Sequence, residues 1–252
     1  MGTPDFAVPC LQSLLDAGHE VCAVFTQPDK QKGRGYAMTP PPVKVLAMEH
    51  DIPVYQPKTL RTPEAAQQIR EMQPDCIVVV AYGKILPKEI LEIPPYGCIN
   101  VHASLLPKYR GAAPIQWAVL NGDPETGVTT MYMAEGLDTG DMLLKSRTEI
   151  GPEETSGELH DRLSQMGAEL IVETLKEVEA GTVRRTPQGD AETSYASMLT
   201  KELGKIDWGR PAGELHNLVR GLSPWPVAET VYNKKRLKIH RAKVVPGFGG
   251  AP

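Results

Sequence analysis

The sequence predicts an α/β fold: a Rossmann-like, mostly parallel sheet covered by helices, followed by the beginning of a small β domain. Three observations carry that expectation. From the N-terminus, apolar runs alternate with helical patterns, as in a parallel sheet with helices on both faces. The run Cys76-Ile77-Val78-Val79-Val80-Ala81 is apolar almost throughout, which suits a strand buried on both sides. Toward the C-terminus the pattern changes to strand-like alternation over 228–232 and 236–244, on either side of the turn-like pair Asn233-Lys234.

Each element has a local reason. Residues 8–17 read as a helix closed by Gly18, and 21–26 as a strand. Residues 27–42 form a loop too long for a plain connection, and therefore a functional candidate. Residues 43–49 and 63–72 carry helical patterns, 76–81 the buried strand, 98–102 a further strand, 114–120 a helix and 128–133 another strand. A long helix over 155–180 closes this part of the chain, with Thr155 as its N-cap. Residues 181 to about 207 are polar and without a clear period, as in a linker, and 212–220 form a short helix. The expected division is a first domain over 1–181, a linker over 182–199 and the start of a second domain over 200–252. Two or so strands cannot bury a core of their own.

Composition narrows the function. At 252 residues and 41% hydrophobic, the chain can bury a substantial core. It has no run of eighteen apolar residues, and its start lacks the charged and apolar regions of a signal peptide, so a cytoplasmic protein without a membrane span is expected. Cys10, Cys22, Cys76 and Cys98 form no CxxC pair and no cysteine/histidine cluster; they read as reduced core thiols, and no metal is expected. The net charge of −4 argues against a protein that coats nucleic acid indiscriminately. It conceals an asymmetry, however. After Glu229 there are no acids, while Lys234, Lys235, Arg236, Lys238, Arg241 and Lys243 follow, and Lys30, Lys32 and Arg34 form a smaller basic group in the long loop. Charge alone balances solvated loops against an anionic partner.

No GxGxxG fingerprint after a strand, no P-loop and no GxSxG elbow occurs, so neither a nucleotide cradle nor an activated serine is indicated. The informative stretch is Ile99-Asn100-Val101-His102-Ala103-Ser104-Leu105-Leu106-Pro107-Lys108-Tyr109-Arg110-Gly111. Strand alternation puts Asn100 and His102 on one face and Ile99 and Val101 on the other. The pair falls where a strand ends and a loop begins, the place where open α/β sheets bind ligands. A second polar cluster, Glu135-Gly136-Leu137-Asp138-Thr139-Gly140-Asp141, follows a later strand, and its glycines permit a tight loop that could aim a carboxylate across the sheet end. Taken singly, the first is an ordinary pair of loop-satisfying polar groups and the second an ordinary turn.

Together, NVHASLLPKYRGAAPIQWA and EGLDTGDM, in this order and at this separation, resemble the two signatures of the folate-dependent formyltransferases. The likeness extends over nearly the whole chain, through GTPDFAVP at 2–9, QPDKQKGRGYAMTPPPVK at 27–44, VVVAYGKILP at 78–87, GKIDWGRPA and VRGLSPWPVA. The long loop and the PWP segment are the most discriminating pieces and resemble the members that act on methionyl-tRNA.

The resemblance implies a first domain that is the formyltransferase domain and a second that is a partial small β-barrel of OB-like type. It implies transfer of the formyl group of 10-formyltetrahydrofolate to the amine of methionyl-initiator tRNA, through a tetrahedral centre bearing an oxyanion. Asn100 and His102 would stabilise that charge, and Asp138 would orient His102, favour its cationic form and help relay the proton. Ser104, Leu105, Leu106 and Pro107, with Tyr82 and Gly83, would line the folate pocket, and Phe6 its entrance or that of the methionyl group. Lys30, Lys32 and Arg34, extended by Lys234, Lys235 and Arg236, would meet tRNA phosphates. A monomer is expected.

Two other readings use the same residues: a relative acting on glycinamide ribonucleotide or an amino-sugar nucleotide, and a non-catalytic folate- or RNA-binding derivative. The basic loop and C-terminal segment argue against the first, and the intact Asn100, His102 and Asp138 against the second. Beside the family, the chain also reads as short at both ends. Members carry an apolar strand directly before GTPDFA, in the middle of the sheet, and a β domain that continues further. A groove of core residues and unpaired backbone groups is then expected where that strand would lie.

Overall fold

A computed structural model describes residues 1–32, 37–189, 192–245 and 247. The chain enters through a 3-10 turn at Asp5–Ala7 into α1 (Val8–Asp16), which ends at Gly18 in the left-handed region, φ +83°. Then come β1 (Val24–Phe25), a hairpin of β2 (Lys30–Lys32) and β3 (Ala37–Thr39), α2 (Pro42–Glu49), β4 (Val54–Tyr55), α3 (Pro63–Glu71), β5 (Ile77–Val79), α4 (Lys88–Leu91) and β6 (Cys98–His102). β7 (Arg110–Gly111), α5 (Pro114–Leu120), β8 (Glu125–Tyr132), β9 (Met142–Glu149) and α6 (Ser156–Glu179) complete the first part. β10 (Tyr195–Ala196), α7 (Ala212–Gly221), β11 (Ala228–Tyr232) and β12 (Lys235–Ile239) follow.

The main sheet has the order β5-β6-β8-β9. β5 runs parallel to β6, whereas β6 to β8 and β8 to β9 are antiparallel. β1 and β4 form a separate parallel pair. Residues 1–2 join the two groups: the Gly2 N–H donates to the Phe25 carbonyl at 3.0 Å, and the Val80 N–H donates to the Met1 carbonyl at 2.9 Å. Below this junction a groove of about 590 Å³ separates the segment around Val21 to Val24 from that around Cys76 to Val78, with Cys10, Leu11 and Leu14 at its floor.

Pleating divides the core. Ile99 and Val101 of β6 enter the cluster formed with α1, α6, β8 and α5, while Cys98 enters a second cluster with Phe25, Ile69, Tyr82 and Ile90. All five residues of β6 are buried. α6 holds its register through a full capping box, in which the Thr155 hydroxyl accepts from the Glu158 N–H at 3.2 Å and the Glu158 carboxylate accepts from the Thr155 N–H at 2.8 Å. The Thr155 N–H and hydroxyl, both donating to the Glu158 carboxylate, hold it below the ordinary carboxylate range.

Several expectations change. The strand over 21–26 shortens to Val24–Phe25, with the Thr26 N–H still donating to the Tyr55 carbonyl at 3.0 Å, while residues 21–23 border the groove. The loop over 27–42 contains the β2–β3 hairpin, and the strand over 236–244 ends at Ile239. β9 was not anticipated, since Ser146 and Thr148, between its exposed Lys145, Arg147 and Glu149, give no apolar alternation. The stretch read as a linker carries β10, paired with β7, and a 3-10 turn at Lys201–Gly204. Cys22 is exposed rather than in the core. Phe6 is buried beneath α6, with its ring edge-on to His160 at 5.2 Å, instead of at an entrance.

Gly167 lets α6 approach β6. A Cβ there would lie 2.9 Å from Cγ1 of Val101. Gly167→Val is expected to destabilise the chain by about 1–3 kcal/mol through overpacking, measured by denaturant unfolding, and Val101→Ala in the same chain should restore part of the loss.

Candidate active site

Asn100 and His102 reach their place because β6 is paired on both sides, with β5 and with β8. The two residues are 9% and 6% exposed. Asp138 arrives on the loop between β8 and β9, on a backbone at φ +51°, a conformation more accessible to Asp and Asn than to most residues. Its Oδ2 accepts from the Gly111 N–H at 2.8 Å and lies 3.8 Å from Nδ1 of His102. Its Oδ1 stands 3.5 Å from Nδ2 of Asn100. The other imidazole nitrogen, Nε2, faces the Tyr109 carbonyl at 2.9 Å. A carbonyl only accepts, so Nε2 carries the proton and Nδ1 is the nitrogen turned toward the carboxylate. The structure thus joins in one place the three residues singled out from two separate motifs.

The loop after β6 is fastened from below. The Thr129 hydroxyl, in the buried middle of β8, donates to the Ser104 carbonyl at 2.7 Å and accepts from the Leu106 N–H at 3.2 Å. Lys145 Nζ donates to the Leu106 carbonyl at 2.6 Å, and burial, with Arg147 adding to it, holds this ammonium below the ordinary lysine range. The Ser104 hydroxyl is engaged by the Lys108 carbonyl at 2.6 Å. Leu106 packs on Met131 and Met142, whereas Leu105 and Pro107 remain partly open. The Tyr82 ring sits in the second core cluster, where burial pushes its hydroxyl up to about 12. Gly83 is exposed, at φ +77°, and its carbonyl accepts from Gln27 Nε2 at 3.1 Å.

Among the sequence-predicted basic residues, Lys30, Lys234, Lys235 and Arg236 are exposed, and Arg236 lies 3.5 Å from the Glu229 carboxylate. Lys32 lies on β2, and Arg34 is outside the described residues. Thr129, Lys145, Arg110 and Gln188 were missed by sequence reasoning. Only Thr129 left a signal, as a hydroxyl among the apolar residues of a buried strand. Among the described residues, no group of three or more His, Cys, Asp or Glu is arranged to hold a metal ion, and no helix is long and apolar enough to cross a membrane.

Thr129→Val keeps the shape but leaves the Ser104 carbonyl and Leu106 N–H unpartnered. It is expected to cost about 1–3 kcal/mol, while Thr129→Ser should stay close to the parent in the same denaturation experiment.

Known proteins place this arrangement. The formyl transferase family matches residues 1–175, and its C-terminal domain matches residues 198–252. The methionyl-tRNA formyltransferase of Alkaliphilus oremlandii is 57% identical over 245 residues, covering 97% of this chain and 79% of that protein. The protein of the same name from Geobacter sulfurreducens is 57% identical over 252 residues, covering 100% and 79%. Among solved structures, an N-formyltransferase from Helicobacter canadensis in complex with folinic acid and dTDP-3-aminofucose aligns at a TM-score of 0.75 and 22% identity, over 99% of this chain and 88% of that one. A sugar 3-N-formyltransferase in the presence of dTDP and 5-N-formyl-THF aligns at 0.74 and 20%, over 99% and 86%. The solved structures speak to the fold alone; the family matches and the identities across nearly the full length make the chain a member of the formyl transferase family.

Proposed function

We propose that this chain transfers the formyl group of 10-formyltetrahydrofolate to the amino group of methionyl-initiator tRNA. The observation that carries the reading is the convergence of Asn100, His102 and Asp138 in a chain 57% identical, almost end to end, to proteins named methionyl-tRNA formyltransferase. The two N-formyltransferase structures aligned above are 20% and 22% identical to this chain.

In this reading each residue has a task. Attack of an amine on a formyl carbon puts negative charge on the formyl oxygen, which fixed donors stabilise at no reorganisation cost. Asn100 Nδ2 is such a donor on a doubly paired strand. His102 offers Nδ1, which, when protonated, serves the same oxygen or passes a proton toward the departing folate nitrogen. Asp138, 3.8 Å from Nδ1, balances the charge of the imidazolium and sets the ring's direction together with the Tyr109 carbonyl. Leu105 and Pro107, on the loop held by Thr129 and Lys145, would meet the folate in this reading, with Ser104, Leu106, Tyr82 and Gly83 as further wall of the pocket. Lys30, Lys32 and Arg34, with Lys234, Lys235 and Arg236, supply the charge to meet tRNA phosphates. A monomeric, cytoplasmic enzyme fits this role.

Offered 10-formyltetrahydrofolate with methionyl-tRNA, glycinamide ribonucleotide or a dTDP-amino sugar, the protein should formylate the methionyl amine. Formylation of a rival amine alone would sink the reading. His102→Ala should lower turnover about a hundred- to a thousandfold, the usual loss for one oxyanion donor, with folate affinity nearly intact. Paired replacement of Lys30 and Lys32 should weaken use of methionyl-tRNA without touching folate binding, and less so at low salt; an equal loss with a small amine would point to a collapsed loop.

A further inference from the structure

We propose that Gln188 is a positioning residue for Asp138, and that residues 185–188 and 194–196 strap the two loops of the site at a fixed spacing. The inference rests on the functional reading above and concerns the same site.

The side-chain amide of Gln188 is fully used. Nε2 donates to the Asp138 carbonyl at 2.8 Å and to the Gly140 carbonyl at 2.7 Å, while Oε1 accepts from Nε of Arg110 at 2.9 Å. Two carbonyls require donors and a guanidinium requires an acceptor, so these partners fix which way the amide points. One side chain thereby ties the loop bearing Asp138 to β7. Arg110 is 4% exposed, so its pairing is screened from water and worth more than a surface contact.

Asp138 needs such a hold. At φ +51° its backbone is in the left-handed region, which even an aspartate holds only where the surroundings determine it. The clamp grips the carbonyl of Asp138 and that of the residue two further on. The carboxylate is then directed at the Gly111 N–H and His102.

The strap also sets the opposite loop. The Arg110 N–H donates to the Ser194 carbonyl at 2.8 Å, the Tyr109 N–H to the Ser194 hydroxyl at 2.9 Å and the Ala112 N–H to the Ala196 carbonyl at 2.9 Å. Gly111 is at φ +116°, and a Cβ there would stand 2.7 Å from the Ala196 oxygen, so the close approach requires glycine. Tyr109, fixed in this way, offers the carbonyl that His102 faces. On the near side Thr186 exchanges two hydrogen bonds with Met142, both at 2.9 Å, and Arg185 pairs with Asp141 and lies over the Tyr132 ring at 4.7 Å. No other residue type reproduces the clamp. A glutamate would turn a carboxylate oxygen on two carbonyls, and a methionine fills the space without a hydrogen bond.

The experiment is a double-mutant cycle on the full chain with 10-formyltetrahydrofolate and methionyl-tRNA. Gln188→Met should lower kcat about tenfold, as for a residue coupled through a contact network, with both KM values within about twofold; Gln188→Glu should fall further. In an Asp138→Ala background, Gln188→Met should cost nothing more. Independent, multiplying losses would overturn the proposal. If the parent itself fails to formylate, the functional reading has failed, and the strap is decided by hydrogen exchange. The Gly111 amide should then exchange about tenfold faster in Gln188→Met while β8 amides keep their protection; an unchanged Gly111 rate would overturn it.

Discussion

The pairing of β6 between β5 and β8 is the constraint on which the site depends. A strand bonded on one edge can shift its register, and a shift by one residue exchanges the faces of every side chain. β6 is held on both edges, and its own alternation sends Ile99 and Val101 into the helix-covered core. Asn100 and His102 are therefore committed to the opposite face by the burial of their neighbours. The polar pair is positioned by apolar contacts, and the contribution of those contacts is the hydrophobic one, on the order of 1.5–3 kcal/mol per buried aliphatic side chain.

Around that strand the molecule uses polar groups as fasteners rather than as a source of net stability. Thr129 satisfies a carbonyl and an N–H of the loop after β6, and the Tyr109 carbonyl and the Asp138 carboxylate bracket His102. A buried hydrogen bond adds little over its hydrated alternative, but leaving either partner unmade is expensive. The result is specificity of position: few arrangements satisfy all these groups at once.

What was legible in the sequence follows the same division. β6 and α5 were read with their bounds, and α6 with its cap, because each rests on local periodicity or capping chemistry. The convergence of Asn100 and His102 on one face came from alternation, and Asp138 was joined to them through the family resemblance. β9 was not legible, since the inner positions between its exposed Lys145, Arg147 and Glu149 are Ser146 and Thr148, which give no apolar alternation. The stretch after α6 was also opaque. Nothing in a polar segment without period shows that it returns to the sheet end, because its partners are 44 to 85 residues away in sequence. Sequence reasoning thus singled out the three polar groups that the fold brings together and missed many of those that hold them.

The distance along the chain between these two kinds of residue affects the order in which a ribosome delivers them. Asn100, His102 and Asp138 have all emerged well before Gln188 and Ser194. The sheet that places the first two closes on contacts made by residues 77–149, so an unfinished polypeptide can hold a formed scaffold and an unfinished centre together. If Gln188 holds Asp138 as proposed, competence waits for the returning segment to dock, and that segment is also the one that leads into the C-terminal domain.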